Sequence, residues 1–164
     1  MTSLFTLSMV NQTVKPDGTL LFLRTAGDVK KRGSIIQITR LSIGQIGTTE
    51  PEQIGVVIGE KLPPFGQYLP STPAPHNLAA PLSGVVGATD GGPATAGICA
   101  IDEGAGEVVT TVAEAFSNIS GYVWSASHEE RIWIAVDTAL VVKLACSPRS
   151  LTGWFASLTY EEIT

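Results

Sequence analysis

The chain has few charged residues, only two cysteines and only two histidines. Charged side chains make up 15% of its 164 residues, against about 25% in an average soluble domain. Because few charges keep the surface hydrated, we expect part of that surface to be buried against other protein subunits. The alternative is a monomer in which abundant Gly, Ala, Ser and Thr make an ordinary surface poor in charge.

Basic residues are especially scarce, and the net charge is -5. A nucleic-acid-binding surface needs clustered Lys and Arg to neutralise phosphates. The only basic cluster is Lys30-Lys31-Arg32, close to Asp28, and it is typical of a solvated turn. The sequence therefore disfavours direct binding of DNA or RNA.

The two cysteines, Cys99 and Cys146, both lie in apolar, strand-like runs. Neither has a histidine or a second cysteine at metal-ligand spacing, so we expect two reduced, buried thiols. A single disulfide between them remains open as an alternative. We expect no metal and no other cofactor.

Targeting and membrane signals are also missing. Residues 1–6 lack the basic start and the long apolar run of a signal peptide. The longest uncharged stretch, residues 62–89, is interrupted by Pro, Gly and polar residues, which a membrane span does not tolerate at that density. We expect no membrane association and synthesis in a cytoplasm.

No pattern typical of a catalytic site is present. His76 and His128 lie in different predicted loops, and no Gly-x-Ser-x-Gly motif supplies a nucleophile. The densest polar cluster is residues 127–131. Its adjacent Glu129 and Glu130 would point to opposite faces of a strand and so would not converge on a ligand. The sequence predicts that the chain is not an enzyme.

What the sequence does contain is period-two alternation rich in β-branched and aromatic residues, which is typical of strands. Residues 34–46 form the longest candidate strand. Their hydrophobic positions change parity near Arg40, which indicates a bulge or bend. Residues 20–25 are apolar at both parities and therefore predict burial on both faces. Residues 53–58 form a further candidate strand.

The alternation is clearest in the C-terminal third. Candidate strands cover residues 132–136, 140–146 and 154–160. We predict that they form an antiparallel meander, with a hairpin-like junction at Asp137-Thr138 and a second turn at Pro148. The whole chain, residues 1–164, is thus predicted to be one all-β domain, an antiparallel β-sandwich.

Helical signals are weak, and two long loops stand out. Residues 109–116 are ambiguous between one or two helical turns and a strand over 107–112. Residues 62–76 contain five prolines, which excludes a central strand there. Residues 83–106 are rich in Gly, Ala and Thr, and a loop of this length predicts either a neighbour contact or a short strand within 94–101.

We expect the Pro-rich and Gly-rich loops to carry the contacts with other subunits. The candidate contact residues are Pro63, Pro64, Phe65, Tyr68, Pro73, Pro75, Val85 and Val86.

Short segments of the chain resemble small proteins encoded near the capsid genes of tailed bacteriophages. The resembling segments are residues 127–132 (Ser-His-Glu-Glu-Arg-Ile), 139–144, 147–151 and 157–162. Residues 41–45, followed by Glu50 and Glu52, also resemble the early strand of those proteins. Those proteins commonly have Pro where this chain has His128, and the middle loops do not align. The resemblance covers about half of the chain, in short pieces.

This resemblance implies a virion structural protein. The form it implies is a jelly-roll-like cement or decoration protein, trimeric on the outer surface of the capsid and bound to the major capsid protein. It would be made in the host cytoplasm.

Three alternatives stay open. One is a tail- or fibre-associated module that recognises a host glycan or another virion protein, with Tyr68, Tyr122 and Trp124 as candidate aromatics. Another is a coat subunit, which the absence of Lys and Arg from residues 1–14 disfavours. The third is an enzyme on a related fold, which would need His and carboxylates clustered together.

Overall fold

A computed structural model describes residues 3–79 and 81–163, and in it two β-sheets pack face to face. This confirms the predicted all-β class and the antiparallel β-sandwich, while the jelly-roll strand order stays a prediction. The described chain has one 3-10 turn, His128–Glu130, and no α-helix. None of its helical segments is long and apolar enough to cross a membrane. The strands are β1 (Ser3–Gln12), β2 (Thr19–Arg24), β3 (Ile35–Gln45), β4 (Gln53–Lys61), β5 (Gln67–Pro70), β6 (Ala74–Pro75), β7 (Val86–Gly87), β8 (Thr95–Asp102), β9 (Val108–Ser117), β10 (Tyr122–Ser125), β11 (Ile132–Ala135), β12 (Ala139–Leu144) and β13 (Trp154–Glu162).

The two sheets differ in their edges. Sheet A has the order β10-β3-β13-β1-β6, and β11 pairs with β3 along the same side as β10. Sheet B has the order β5-β8-β2-β12-β4-β9. The short strand β7 runs parallel to β8, and the other strand pairs are antiparallel. Sheet B therefore ends on one side at β9, a strand of ten residues.

The parity change predicted near Arg40 is confirmed as a bulge in β3. The pairing of β3 with β13 passes from Arg40 directly to Ile38 and leaves Thr39 as the extra residue. Because one extra residue shifts the alternation, Ile38 and Leu41 both face the core, each with no exposed surface.

The predicted C-terminal meander is wrong. Strand β11 lies in sheet A, β12 lies between β2 and β4 in sheet B, and β13 returns to sheet A between β1 and β3. At the junction predicted to be a hairpin, Asp137 has φ +62° and its carboxylate pairs with Arg24. The chain crosses between the sheets there, as the connections of a sandwich must do somewhere.

The structure gives the conformation of the Pro-rich region 62–76, the Gly-rich region 83–106 and the ambiguous segment 109–116. Residues 108–117 form strand β9, so the helical alternative is wrong. The predicted short strand within 94–101 is confirmed as β8, and the Pro-rich region contributes the short strands β5 and β6.

Cys99 and Cys146 are free thiols, so the disulfide left open by the sequence is not formed. Cys99 is buried, with its sulfur 3.3 Å from that of Met9. This burial raises the pKa of the Cys99 thiol to about 11. Cys146 is half-buried and accepts the backbone N–H of Gly55 at 3.4 Å.

We expect a maleimide to label Cys146 in the native protein and to leave Cys99 unmodified until the chain unfolds. The thiolate is the reactive species, and a pKa of about 11 leaves roughly one Cys99 in a thousand ionised at pH 8. Mass spectrometry of the Cys146→Ser variant measures Cys99 alone. Labelling of Cys99 in buffer as fast as in denaturant would contradict its burial.

Candidate interaction surfaces

The structure places the predicted contact residues at three different depths. Tyr68, Pro73 and Val85 are buried within the chain, so their side chains are already occupied by internal packing. Phe65 and Pro75 are half-buried. Pro63, Pro64 and Val86 are exposed and available to a partner.

The Pro-rich loop is partly buried because it covers the outer face of sheet B. The ring of Phe22, on β2, stacks on Tyr68 with centroids 4.3 Å apart, and it also contacts Phe65 at 6.1 Å. The guanidinium of Arg24 lies 4.3 Å above the Phe65 ring. The sequence predicted burial of β2 on both faces. The core of the sandwich covers one face, and the Pro-rich loop covers the other. Its aromatic residues Phe65 and Tyr68 therefore pack with Phe22 in a small internal core.

The far edge of sheet B is open along β9, because within residues 3–79 and 81–163 no strand pairs with its outer side. Two backbone bonds define its orientation: the N–H of Asn118 donates to Glu52 at 3.1 Å, and the N–H of Leu62 donates to Glu107 at 2.8 Å. Backbone groups alternate along an antiparallel strand. With the observed register, the residues of β9 whose N–H and C=O point away from β4 are Val108, Thr110, Ala113, Ala115 and Ser117. The Ser117 C=O already accepts the N–H of Gly121 at 2.9 Å, which leaves the first four.

The side chains of β9 carry a single charge. Glu114 is the only charged residue of the strand, and its carboxylate accepts the hydroxyl of Tyr122 at 2.9 Å, which ties it to sheet A. A bulge at Thr111 interrupts the ladder, and the register with β4 is regular from Val112 onwards. Exposed edges commonly carry Lys or Pro, which block pairing. Strand β9 has neither residue, so its edge is open to strand addition.

The outer face of sheet A is uncharged over one half. Ser8, Ser157 and Ser42 lie side by side across three strands, and the hydroxyls of the first two are 3.4 Å apart. Next to this row a groove of about 300 Å³ is lined by Gly44 and Phe155 among others. None of its lining residues is Asp, Glu, Lys or Arg.

The other half of the same face carries a polar cleft of about 320 Å³ that includes His76, Arg40 and Arg131. The His76 ring is hydrogen-bonded to the Thr6 hydroxyl, and among the described residues no carboxylate bonds that ring. The described residues also contain no group of three or more His, Cys, Asp or Glu that could hold a metal ion. Glu161 also lines the cleft, and its carboxylate lies 3.6 Å from the guanidinium of Arg131.

The aromatic residues expected under the glycan alternative are mostly internal. Tyr68 and Tyr122 are buried, and Trp124 is half-buried. Trp133 was not among the residues expected to contact a glycan, yet 54% of its surface is exposed. It lies in β11 and pairs with Gln37, whose side chain accepts a hydrogen bond from Arg131 of the polar cleft at 3.3 Å.

Comparison with known proteins finds no match among family models, curated proteins or solved structures. The surfaces described above, together with the resemblance in short segments, are therefore the basis for inferring a function.

Proposed function

We propose that this chain is a non-enzymatic virion structural protein, a capsid cement or decoration protein. In this proposal it binds the major capsid protein on the outer surface of a phage head and associates with itself as a trimer. The observation that carries the proposal is the open edge of β9, with four residues whose backbone groups point outward.

A capsid filled with DNA is under internal pressure. Packaged DNA pushes the capsid subunits apart, so a protein that bridges neighbouring subunits must make contacts that are individually modest but numerous. Strand addition at β9 supplies main-chain hydrogen bonds that depend little on the partner's sequence. A homo-oligomer presents several such edges at once, which raises the overall affinity without any new type of contact.

One observation favours a second candidate function, the tail- or fibre-associated module. Trp133 is exposed and pairs across the sheet with Gln37, whose side chain accepts a hydrogen bond at 3.3 Å from Arg131 of the cleft. An exposed aromatic ring beside hydrogen-bond donors is a common way to hold a sugar. Loss of glycan binding in a Trp133→Ala variant, with unchanged capsid binding, would favour this module over the cement protein.

The strand-addition contact is tested by replacing Ala113 with proline. The N–H of Ala113 points away from β4, so proline removes an outward donor without removing a bond of sheet B. We expect binding to capsids that lack this protein to weaken at least about tenfold, which corresponds to about 1.4 kcal/mol. Co-sedimentation with those capsids measures the change.

The matched control is Ala113→Thr, which adds side-chain volume at the same position but keeps the N–H. We expect it to bind capsids like the wild type. Thermal melts must show that both variants are folded. A folded Ala113→Pro variant with wild-type affinity would exclude β9 as the contact strand.

A further inference from the structure

The polar cleft on the outer face of sheet A is built around the bulge of β3. Thr39, the extra residue of the bulge, and its neighbour Arg40 both line this cleft of about 320 Å³. A bulge re-aims the side chains beside it, and bulges are common next to functional sites. The volume is at the lower end of the range for ligand pockets, so the cleft has room for one small ligand.

Arg40 gives the cleft a positive charge that has no partner in the chain. Arg40 pairs with Thr159, which lies between two buried residues of β13, so both side chains point to the outer face. Arg40 is exposed, and within residues 3–79 and 81–163 no carboxylate lies at ion-pair distance from it. Its guanidinium can therefore pair with a ligand carboxylate without losing another contact.

A second guanidinium, that of Arg131, contacts donors and acceptors that are not all paired. Its Nη1 donates to the Gln37 Oε1 at 3.3 Å and lies 3.6 Å from the Glu161 carboxylate. The Arg131 Nε and the Gln37 Nε2 are buried and have no acceptor among the described residues. Most buried donors in folded proteins have a partner. Two unpaired donors on touching side chains therefore indicate a place where a ligand supplies acceptors.

The Arg131 side chain must turn towards the cleft before a ligand can reach its buried Nε. The contacts that this rotation changes are weak, because well-formed bonds between a guanidinium and a carboxylate are about 2.7–2.9 Å long. Once turned, the Nε and Nη2 edge of Arg131 matches the two oxygens of a carboxylate. Arg131 and Arg40 can then hold the same anionic group.

The charges of the cleft indicate how much negative charge a ligand carries. Besides His76, the ionisable residues in its lining are Arg40, Arg131 and Glu161. Glu161 would repel a doubly charged phosphate more strongly than a singly charged carboxylate. Its oxygens can also accept hydrogen bonds from ligand hydroxyls, and three Ser and Thr residues line the same cleft. One carboxylate and several hydroxyls are the groups that a sugar acid carries.

We propose that the polar cleft binds a sugar acid, a pyranose with one carboxylate, through Arg40 and Arg131. This site goes beyond the cement function, which uses the edge of sheet B, and it gives the glycan alternative a ligand class. The cleft and β9 lie on different sheets, so a variant can remove one contact without the other.

An NMR titration of the isotope-labelled chain with glucuronate and with N-acetylneuraminate tests the site. We expect at least one of these sugar acids to shift the backbone signal of Arg40 and the Nε–H signal of Arg131 until they saturate. Glucose lacks the carboxylate and acetate lacks the sugar ring, so each should bind at least about tenfold more weakly. Inorganic phosphate should also bind more weakly, because of Glu161. No saturable shift with either sugar acid, or acetate binding as tightly as both, would overturn the inference.

Three variants test the contacts that the proposal names. Arg40→Gln should weaken sugar-acid binding at least about tenfold and leave capsid binding unchanged. The matched control is Arg149→Gln, which removes the same charge from an exposed pair with Glu50 outside the cleft and should bind like the wild type. Glu161→Gln should bind phosphate more tightly than the wild type does. Equal losses in Arg40→Gln and Arg149→Gln would show unspecific attraction and overturn the site.

Discussion

Replacement of Glu162 by alanine is expected to lower the free energy of unfolding by about 3 kcal/mol, because it leaves buried polar groups without partners. For a domain of this length, that loss corresponds to a decrease of roughly 6–12 °C in the melting temperature. The expected effect is large because the Glu162 side chain is 2% exposed and lies in the middle of a polar network.

The network joins the last strand to two separate loops. The Glu162 carboxylate accepts the N–H of Gly84 at 2.9 Å and the hydroxyl of Ser83, which in turn is 2.8 Å from the Tyr160 hydroxyl. Arg32 approaches the same carboxylate at 3.6 Å. Gly84 has no room for a side chain, since an added Cβ would lie 2.2 Å from the Arg32 carbonyl oxygen. The carboxylate is therefore the common anchor of two tightly packed loops.

Thermal melts of two further variants separate this role from a simple loss of charge. Glu162→Gln keeps the size and one acceptor oxygen, so we expect a smaller loss of stability than with alanine. Glu161→Ala is the matched neighbour, because its half-buried side chain makes only a 3.6 Å pair with Arg131. Partly exposed pairs of this kind contribute about 0–1 kcal/mol. Equal destabilisation by Glu161→Ala and Glu162→Ala would contradict the anchoring role.

The second large effect is expected at alkaline pH, where all three tyrosines of the chain should resist ionisation in the native state. Burial is the main cause that raises the pKa of Tyr68, Tyr122 and Tyr160. The charges of Glu103 and Asp102 raise the pKa of Tyr68 further. For Tyr160, the hydrogen bond with Ser83 acts in the opposite direction but is outweighed.

The consequence for stability follows from proton binding. An unfolded tyrosine ionises near pH 10, whereas the buried hydroxyls keep their protons, so above pH 10 the folded state binds more protons than the unfolded state. The stability contributed by the tyrosines is fully present below pH 10 and decreases as the pH rises above it. At pH 11 each buried tyrosine accounts for roughly 1.4 kcal/mol of this loss, or about 4 kcal/mol for the three.

Lys61 acts in the opposite direction. Its side chain is 4% exposed, its Nζ donates to the Gly106 carbonyl at 2.7 Å, and burial lowers its pKa. Folded Lys61 therefore releases its proton before the unfolded chain does, so this residue adds stability as the pH rises towards its ordinary value of 10.5. The Lys61→Met variant removes this contribution and should show the decrease above pH 10 more clearly.

Phenolate absorbance during a pH titration measures the tyrosines directly. We expect little phenolate in the folded protein at pH 11, followed by a cooperative rise as the chain unfolds. Single Tyr→Phe variants should each reduce the pH dependence of stability above pH 10. A phenolate that titrates with a midpoint near pH 10 in folded protein would show that its tyrosine is not buried.

Many of the strands could be predicted from the sequence because the period of two is a local property. The alternation in residues 34–46 predicted β3 and its bulge, and the apolar run over 20–25 predicted a strand covered on both sides. Strand β1 carries the same signal in Phe5, Leu7 and Met9, which all face the core, although it was not predicted. Strand β10 has only four residues, too few for alternation to distinguish it from a turn.

The interaction surfaces could be predicted only in part. The low charge of the chain indicated a surface poor in charge, and the structure has one in the groove around Gly44, whose lining contains no Asp, Glu, Lys or Arg. The prediction that Tyr68 and Val85 contact a partner did not anticipate their burial. Local sequence does not contain that information, because the burial of Tyr68 against Phe22 depends on where a distant loop folds.

The sequence by itself determined that this chain is a β protein with few charges, because composition and side-chain alternation depend only on the identity and order of the residues. Only the tertiary structure decided which strands are neighbours, because backbone hydrogen bonds form equally well with any partner strand. Strand β12 lies in sheet B and β13 lies in sheet A, and in the resulting strand order β9 lies at an edge of sheet B. The open edge of β9 follows from that strand order.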